Sequence, residues 1–203
     1  MSLVRLLQLA SPTLPVGAYS YSQGLEAAIE AGVVVDPASA EAWIADVLEL
    51  SMARMEAQVL RAQIAEPTQA RNDFFVATRE TAELRAETLQ MGQALAKLLS
   101  DMNVAVGIEQ PAYPTSFAFA VRHWNIEPRE ALVAYLWSWL ENQVMAAVKA
   151  VPLGQTAGQK ILLSLGDRLE TLPLPEESWS NFAPGLAIFS ARHETQYSRL
   201  FRS

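Results

Sequence analysis

PREALVAYLWSWLENQVMAAVKAVPLG, Pro128 to Gly154, is the stretch that decides the fold class. Proline suits the first turn of a helix, where its missing N–H has no partner to lose. Leu132, Tyr135, Leu136, Trp139 and Val144 to Val148 then recur at three- and four-residue spacing, which places them on a helical face. Pro152 and Gly154 end the run. It is too long for a strand. Downstream, Ile161, Leu162, Leu165 and Leu169 form the next helical face, closed by Pro173 and Pro175. Upstream, the spacing predicts a short amphipathic helix over Ser116 to Trp124, after a loop marked by Pro111 and Pro114. Met91, Leu95, Leu98, Met102 and Ala105 make another face, ending near Gly107. Asp36-Pro37 is an N-cap followed by a first-turn proline. Behind it run Ile44, Leu48, Met52, Met55 and Val59, as far as Pro67. Gly185 to about Thr195 is the last candidate helix. No Asn-Gly or Asp-Gly turn joins β-branched runs. The sequence therefore predicts an all-α, single-domain, bundle-like array of about eight to ten helices over residues 1–203.

Composition narrows the function. The chain has 203 residues, of which 51% are hydrophobic and 18% charged, with a net charge of −7. That supports a real core and disfavours nucleic acid, which needs a basic footprint. There is no cysteine, so disulfides, zinc–cysteine sites and thiol catalysis are excluded. Arg5 and Gln8 interrupt Leu3 to Leu9, which argues against a signal peptide. No apolar run reaches the ~18 residues that a bilayer span needs. The expectation is a cytoplasmic protein with no membrane partner.

Catalytic motifs are sought and fail on spacing. Gly154, Gly158 and Lys160 lack the phosphate-loop pattern and read as close helix packing. Ser22-Gln23-Gly24 lacks the first glycine of a nucleophile elbow, so its hydroxyl is expected to bond backbone in a turn. His193-Glu194 has Tyr197 where a zinc helix needs its second histidine. His193 and His123 are read as hydrogen-bonded or solvent-facing. Asn142, inside the long apolar helix, must find a polar partner, and so must Gln155 and Gln159. Met52, Met55, Met91, Met102 and Met145 read as core filler. No catalytic residue, metal site or cofactor is expected.

Two terminal stretches stand out. SARHETQYSRLFRS, Ser190 to Ser203, gathers aromatic residues and arginines, the types that anchor protein contacts. Either Leu200 and Phe201 pack back on their own core, or the segment is a partner-docking tail. QLASPTLPVGAYSYSQGLE, Gln8 to Glu26, is punctuated by Pro12, Pro15, Gly17 and Gly24, so Ser11 to Ala18 should be extended or turning. Together with ETAELRAETLQMGQAL (Glu80 to Leu95) and YLWSWLENQVMAAVKAVPLGQTAGQ (Tyr135 to Gln159), these strings resemble the urease accessory protein F (UreF) family.

The resemblance implies an all-α, non-enzymatic protein that assists maturation of the nickel enzyme urease. It implies bridging of the accessory protein UreD (also called UreH) and the nickel-carrying GTPase UreG, with nickel delivery to the urease apoprotein. Several family members are homodimers, so a homodimer is also implied. The family's partner-binding tail matches Arg192, His193, Glu194, Gln196, Tyr197, Arg199 and Arg202. The N-terminal match is Ser11, Pro12, Pro15, Gly17, Tyr19, Ser20 and Gln23, expected to touch partners or shape that surface. Two alternatives stay open: a GTPase activator in the strict sense, inserting Arg192, Arg199 or Arg202, and a direct nickel carrier. Deleting Arg192 to Ser203 is expected to abolish urease activation and to leave the helical fold intact.

Overall fold

A computed structural model describes residues 3–174 and 179–203; Pro175, expected to close a helix, lies outside them. The described residues form α1 (Leu3–Leu9), a 3-10 turn (Ala18–Ser20), α2 (Leu25–Glu30), α3 (Pro37–Val47), a π-helical stretch (Leu48–Glu56), α4 (Ala57–Ala65), α5 (Gln69–Ala77), α6 (Ala82–Asp101), α7 (Tyr113–His123), α8 (Pro128–Ala150), α9 (Gln155–Thr171) and α10 (Pro184–His193). Among the described residues there is no strand, so the all-α expectation holds.

Helix starts follow local chemistry. The Asp36 carboxylate accepts from the Ser39 amide at 2.8 Å, and the Ser39 hydroxyl accepts from the Asp36 amide at 3.1 Å, closing a capping box before Pro37. The Ser39 amide and hydroxyl, both donating to the Asp36 carboxylate, hold that carboxyl below its ordinary range. Thr68 and Thr81 cap α5 and α6, and Glu127 caps α8 ahead of Pro128.

Two boundaries and two short helices differ from expectation. Pro114 belongs to the first turn of α7, where proline is tolerated, and does not mark a loop. The helix carrying Met91 and Leu95 stops at Asp101, six residues short of Gly107, and Val104 N–H bonds back to the Leu99 carbonyl. α1 and α5 are also present, each too short for periodicity to reveal.

α8 is the axis of the molecule. It packs against α1, α2, α3, α4 and α9, and buries Leu132, Tyr135, Leu136, Trp139, Leu140 and Val144. Leu95, Leu99 and Phe117 complete the apolar centre with no exposed surface. Gly158 allows α9 to approach α8: a Cβ there would stand 2.8 Å from a Val148 methyl. Only half of the expected packing pair is present, since Gly154 is exposed at the N-cap of α9 and a Cβ there would meet nothing within 4 Å. Gly92 acts for α6 as Gly158 does for α9, since its Cβ would lie 2.0 Å from the Pro111 carbonyl oxygen.

The run from Asp36 to Pro67 is continuous, yet its middle is π-helical. Ile44, Leu48, Met52, Met55 and Val59 are all buried as the spacing requires. The wider turns free carbonyls, and three find new donors. Arg54 Nε donates to the Glu49 carbonyl, Gln58 Nε2 to Ala53, and the Ser180 amide to Arg54.

Candidate docking surface

The two terminal stretches meet in space. The Arg202 amide donates to the Ser20 carbonyl at 2.7 Å, and the Ser22 amide donates to the Ser203 carbonyl at 2.7 Å. The Ser22 hydroxyl donates to the same carbonyl. That hydroxyl bonds backbone, as expected, but on a segment 181 residues away.

Beneath this junction lie buried carboxylates. Glu26, at the start of α2, accepts from the Leu200 amide at 2.7 Å and the Phe201 amide at 3.0 Å. His193 ends α10 with no exposed surface. Its Nδ1 lies 2.8 Å from a Glu83 oxygen and its Nε2 lies 3.3 Å from a Glu26 oxygen. The ring is thus bracketed by two carboxylates, one at each nitrogen. Of the two forms expected for His193, the hydrogen-bonded one is present. Arg199 donates to the other Glu83 oxygen at 2.8 Å and to the Gln196 and Glu194 carbonyls. Glu194 accepts from the Ala82 amide at 2.8 Å, which places an anion at the N-terminus of α6.

A second carboxylate joins the same two segments deeper in. Glu87 accepts from Gln23 Nε2 at 2.7 Å and from the Ser203 hydroxyl at 2.9 Å. Trp139 Nε1 donates to Gln23 Oε1 at 2.7 Å, and Asn142 donates to the Tyr21 carbonyl at 3.1 Å. The polar partner that Asn142 had to find is thus the N-terminal segment, whereas Gln155 and Gln159 are exposed. Gln23 pays for this position with a left-handed backbone, φ 53°. Burial pushes the Glu87 carboxyl up to about 7, against the pull of its hydrogen bonds and of Arg79.

Glu87 lines a narrow cleft of about 50 Å³ under residues 9–19, together with Glu56, Arg79, Tyr135 and Asn142. That space takes a few water molecules, since a water needs roughly 10–15 Å³. Glu56, the last π-helical residue, pairs with Arg79 at 2.9 Å and accepts from the Tyr135 hydroxyl at 2.6 Å. Burial and the nearby Glu56 charge hold the Tyr113 and Tyr135 hydroxyls well above their ordinary range. Among the described residues no group of three His, Asp or Glu side chains is placed to hold a metal ion. Nor is any described helix long and apolar enough to cross a membrane.

Outward, the same region shows a different face. Tyr197 is 104% exposed and Leu200 71%. Arg192 stacks on Phe189 at 5.1 Å and faces solvent, as do Arg199 and Arg202. Pro12, Pro15 and Gly17 are exposed and Ser11, Tyr19 and Ser20 half-buried. Phe201 is buried, with Lys149 of α8 5.8 Å from its ring. Of the two residues expected to pack back on the core if the segment is a plain chain end, Phe201 packs inward and Leu200 points out. Deleting Arg192 to Ser203 would strip partners from Glu26, Glu83 and Glu87, so it is not neutral for the fold.

Residues 34–166 match the UreF family. The chain is 54% identical to the urease accessory protein UreF of Azoarcus sp. (strain BH72), over 100% of this chain and 96% of that protein. It is 51% identical to UreF of Dechloromonas aromatica (strain RCB), over 100% of this chain and 98% of the relative. The chain belongs to the UreF family. For a UreF-family protein, the unexpected residues are Glu26, Glu83 and Glu87, which tie the two matching termini together. Their sequence signal was faint but present. Glu87 falls between Leu84 and Met91 on the apolar face of α6, where a carboxylate has no reason to be unless it has partners.

Proposed function

We propose that this UreF-family protein is a cytoplasmic, non-enzymatic scaffold for nickel insertion. It bridges UreD/UreH and the GTPase UreG through the joined terminal segments, so that apo-urease is activated. The observation that carries this reading is the contrast within eleven residues: His193, Phe201 and Ser203 are buried, while Tyr197 and Leu200 between them are held outward. An exposed aromatic residue on a fixed backbone, flanked by arginines, is the composition of a protein-binding hot spot. The anchors on Ser20, Ser22 and Gln23 make the N-terminal motif part of the same surface, with Ser11, Pro12, Pro15, Gly17 and Tyr19 at its edge. A homodimer is compatible with this role.

The test is co-purification with UreD/UreH and UreG, comparing the intact protein with Tyr197→Ala and Leu200→Ala. Loss of either partner from folded variants supports the reading. Full retention of both by the double variant rejects it. A second reading, strict GTPase activation, is favoured for Arg192 and Arg202 over Arg199, whose guanidinium already makes three bonds. Unchanged GTP hydrolysis in Arg192→Ala and Arg202→Ala complexes would dismiss it.

A further inference from the structure

We infer that the cleft under residues 9–19 is a binding site for a small uncharged carboxamide, recognised through Arg79.

The decisive group is Arg79. It lines the cleft, is 4% exposed, and its Nε finds no acceptor within the protein. The guanidinium is held where it is. Its Nη1 donates to Glu56 at 2.9 Å, and its central carbon lies 5.3 Å from the centre of the Phe75 ring. A buried N–H without an acceptor is unfavourable, and a donor fixed in advance favours an acceptor brought from outside.

The other walls define what carries that acceptor. Glu56, Glu87 and Glu141 set three carboxyl groups against one guanidinium, so an anion is repelled. A cation is repelled by Arg79 and brings it no acceptor. An uncharged molecule with a C=O for Arg79 and N–H groups for the carboxylates meets both demands. Glu56 and Glu87 each accept two bonds from the protein, and a carboxylate has lone pairs for about four. Leu9, Leu14, Val16 and Met52 line the rest with hydrocarbon, which suits a methyl group. The volume of about 50 Å³ holds about four heavy atoms, at roughly 10–15 Å³ for each water-sized group. Acetamide has that size and that pattern. The side chain of a peptide Asn or Gln shares the chemistry, but its backbone would have to pass through the covering segment.

The cover can open. Among the described residues, the hydrogen bonds of residues 10–17 stay within residues 6–20, and Leu14 and Val16 hold the segment down by apolar contact. Lifting it breaks no hydrogen bond to any helix from α2 onward. The same segment edges the proposed docking surface, so occupancy of the cleft would set how that edge is presented to a partner. That consequence rests on the docking reading above; the site itself does not.

The experiment follows carbon-13-labelled methionine methyls of the isolated protein during titration with acetamide at pH 8, where Glu87 is charged. Met52 and Met91 line the cleft and Met145 does not. A saturating shift at Met52 and Met91 is expected, with Met145 unmoved and a dissociation constant in the millimolar range, as befits so small a ligand. Acetate, of the same shape but charged, should bind at least about tenfold more weakly, the worth of one charge-assisted bond. So should acetamide to Arg79→Lys, which keeps the charge opposite Glu56 but removes Nε. A Gly-Gln-Gly peptide should leave the methyls unmoved. No shift with acetamide, a shift that never saturates, equal binding of acetate or of the peptide, or unchanged affinity in Arg79→Lys overturns the site. Should Arg79→Lys not fold, isobutene replaces it on the unaltered protein: it has the shape without the acceptor, and binding equal to that of acetamide overturns the site. Because no partner is present, failure here leaves the docking reading standing, and failure of co-purification leaves the site standing.

Discussion

The centre of the molecule around Phe117, Leu136 and Leu140 and the seam under the terminal segment are both buried, yet made of opposite materials. The first is apolar, held by area removed from water and by close approaches at Gly92 and Gly158. The second is a chain of carboxylates, an imidazole and amides, in which Glu26 and Glu87 each serve several donors. An apolar core tolerates repacking, because its contacts are non-directional. A polar seam is all-or-none, because removing one member strands the others without water. The lesson is that the scaffold and the surface it presents are stabilised by different physics, and should fail differently.

The sharpest way to break the comparison is Glu26→Ala. It leaves His193 Nε2 and two tail amides without their partner, and is expected to lower unfolding free energy by about 3–5 kcal/mol. Urea denaturation should show that loss; a value under ~1 kcal/mol would mean the seam is decorative. Next comes pH. Glu87 has a folded value raised to about 7 from 4.5, so its contribution is complete below 4.5 and is lost as pH rises to 7. That amounts to roughly 3 kcal/mol, at about 1.4 kcal/mol per unit. The unaltered protein should lose this stability relative to Glu87→Gln over that range, and parallel curves would refute it. Gly92→Ala probes the apolar side. Its methyl must displace the Pro111 backbone, at a cost of ~2 kcal/mol that is independent of pH between 5 and 8. A pH-dependent loss there would blur the two regions into one. The smallest effect belongs to Tyr197→Ala, which should change stability by under about 0.5 kcal/mol while removing partner capture.

The helical frame was legible because its signals are local. Asp36-Pro37, Pro128 and the apolar stripe from Ile44 to Val59 each state a boundary or a face within a few residues. The unusual make-up of both terminal stretches was legible in the sequence. Their union was not, because Ser22 and Ser203, or Glu26 and His193, are far apart in sequence and no periodicity links them. Nor was the π-helical stretch readable: its buried residues keep a spacing that an α-helix also satisfies, and its freed carbonyls are met by Gln58 and by Ser180, a residue beyond α9. Glu194 and Arg199 show the same blindness in reverse. Both looked like tail charges for a partner, and both already serve their own chain, one at the start of α6 and one on Glu83.

The π-helical stretch carries more residues per turn than its α-helical flanks, so it stores surplus length inside an otherwise ordinary rod. Excising one residue between Leu48 and Glu56 would let the rod rewind, but it would also swivel one flank against the other by about 100°. Glu56 would then turn away from Arg79 and Tyr135, and the cleft would lose its floor. Sequence length in this one segment is thus a setting for where a charge sits, and a gap or insertion there is a change of aim.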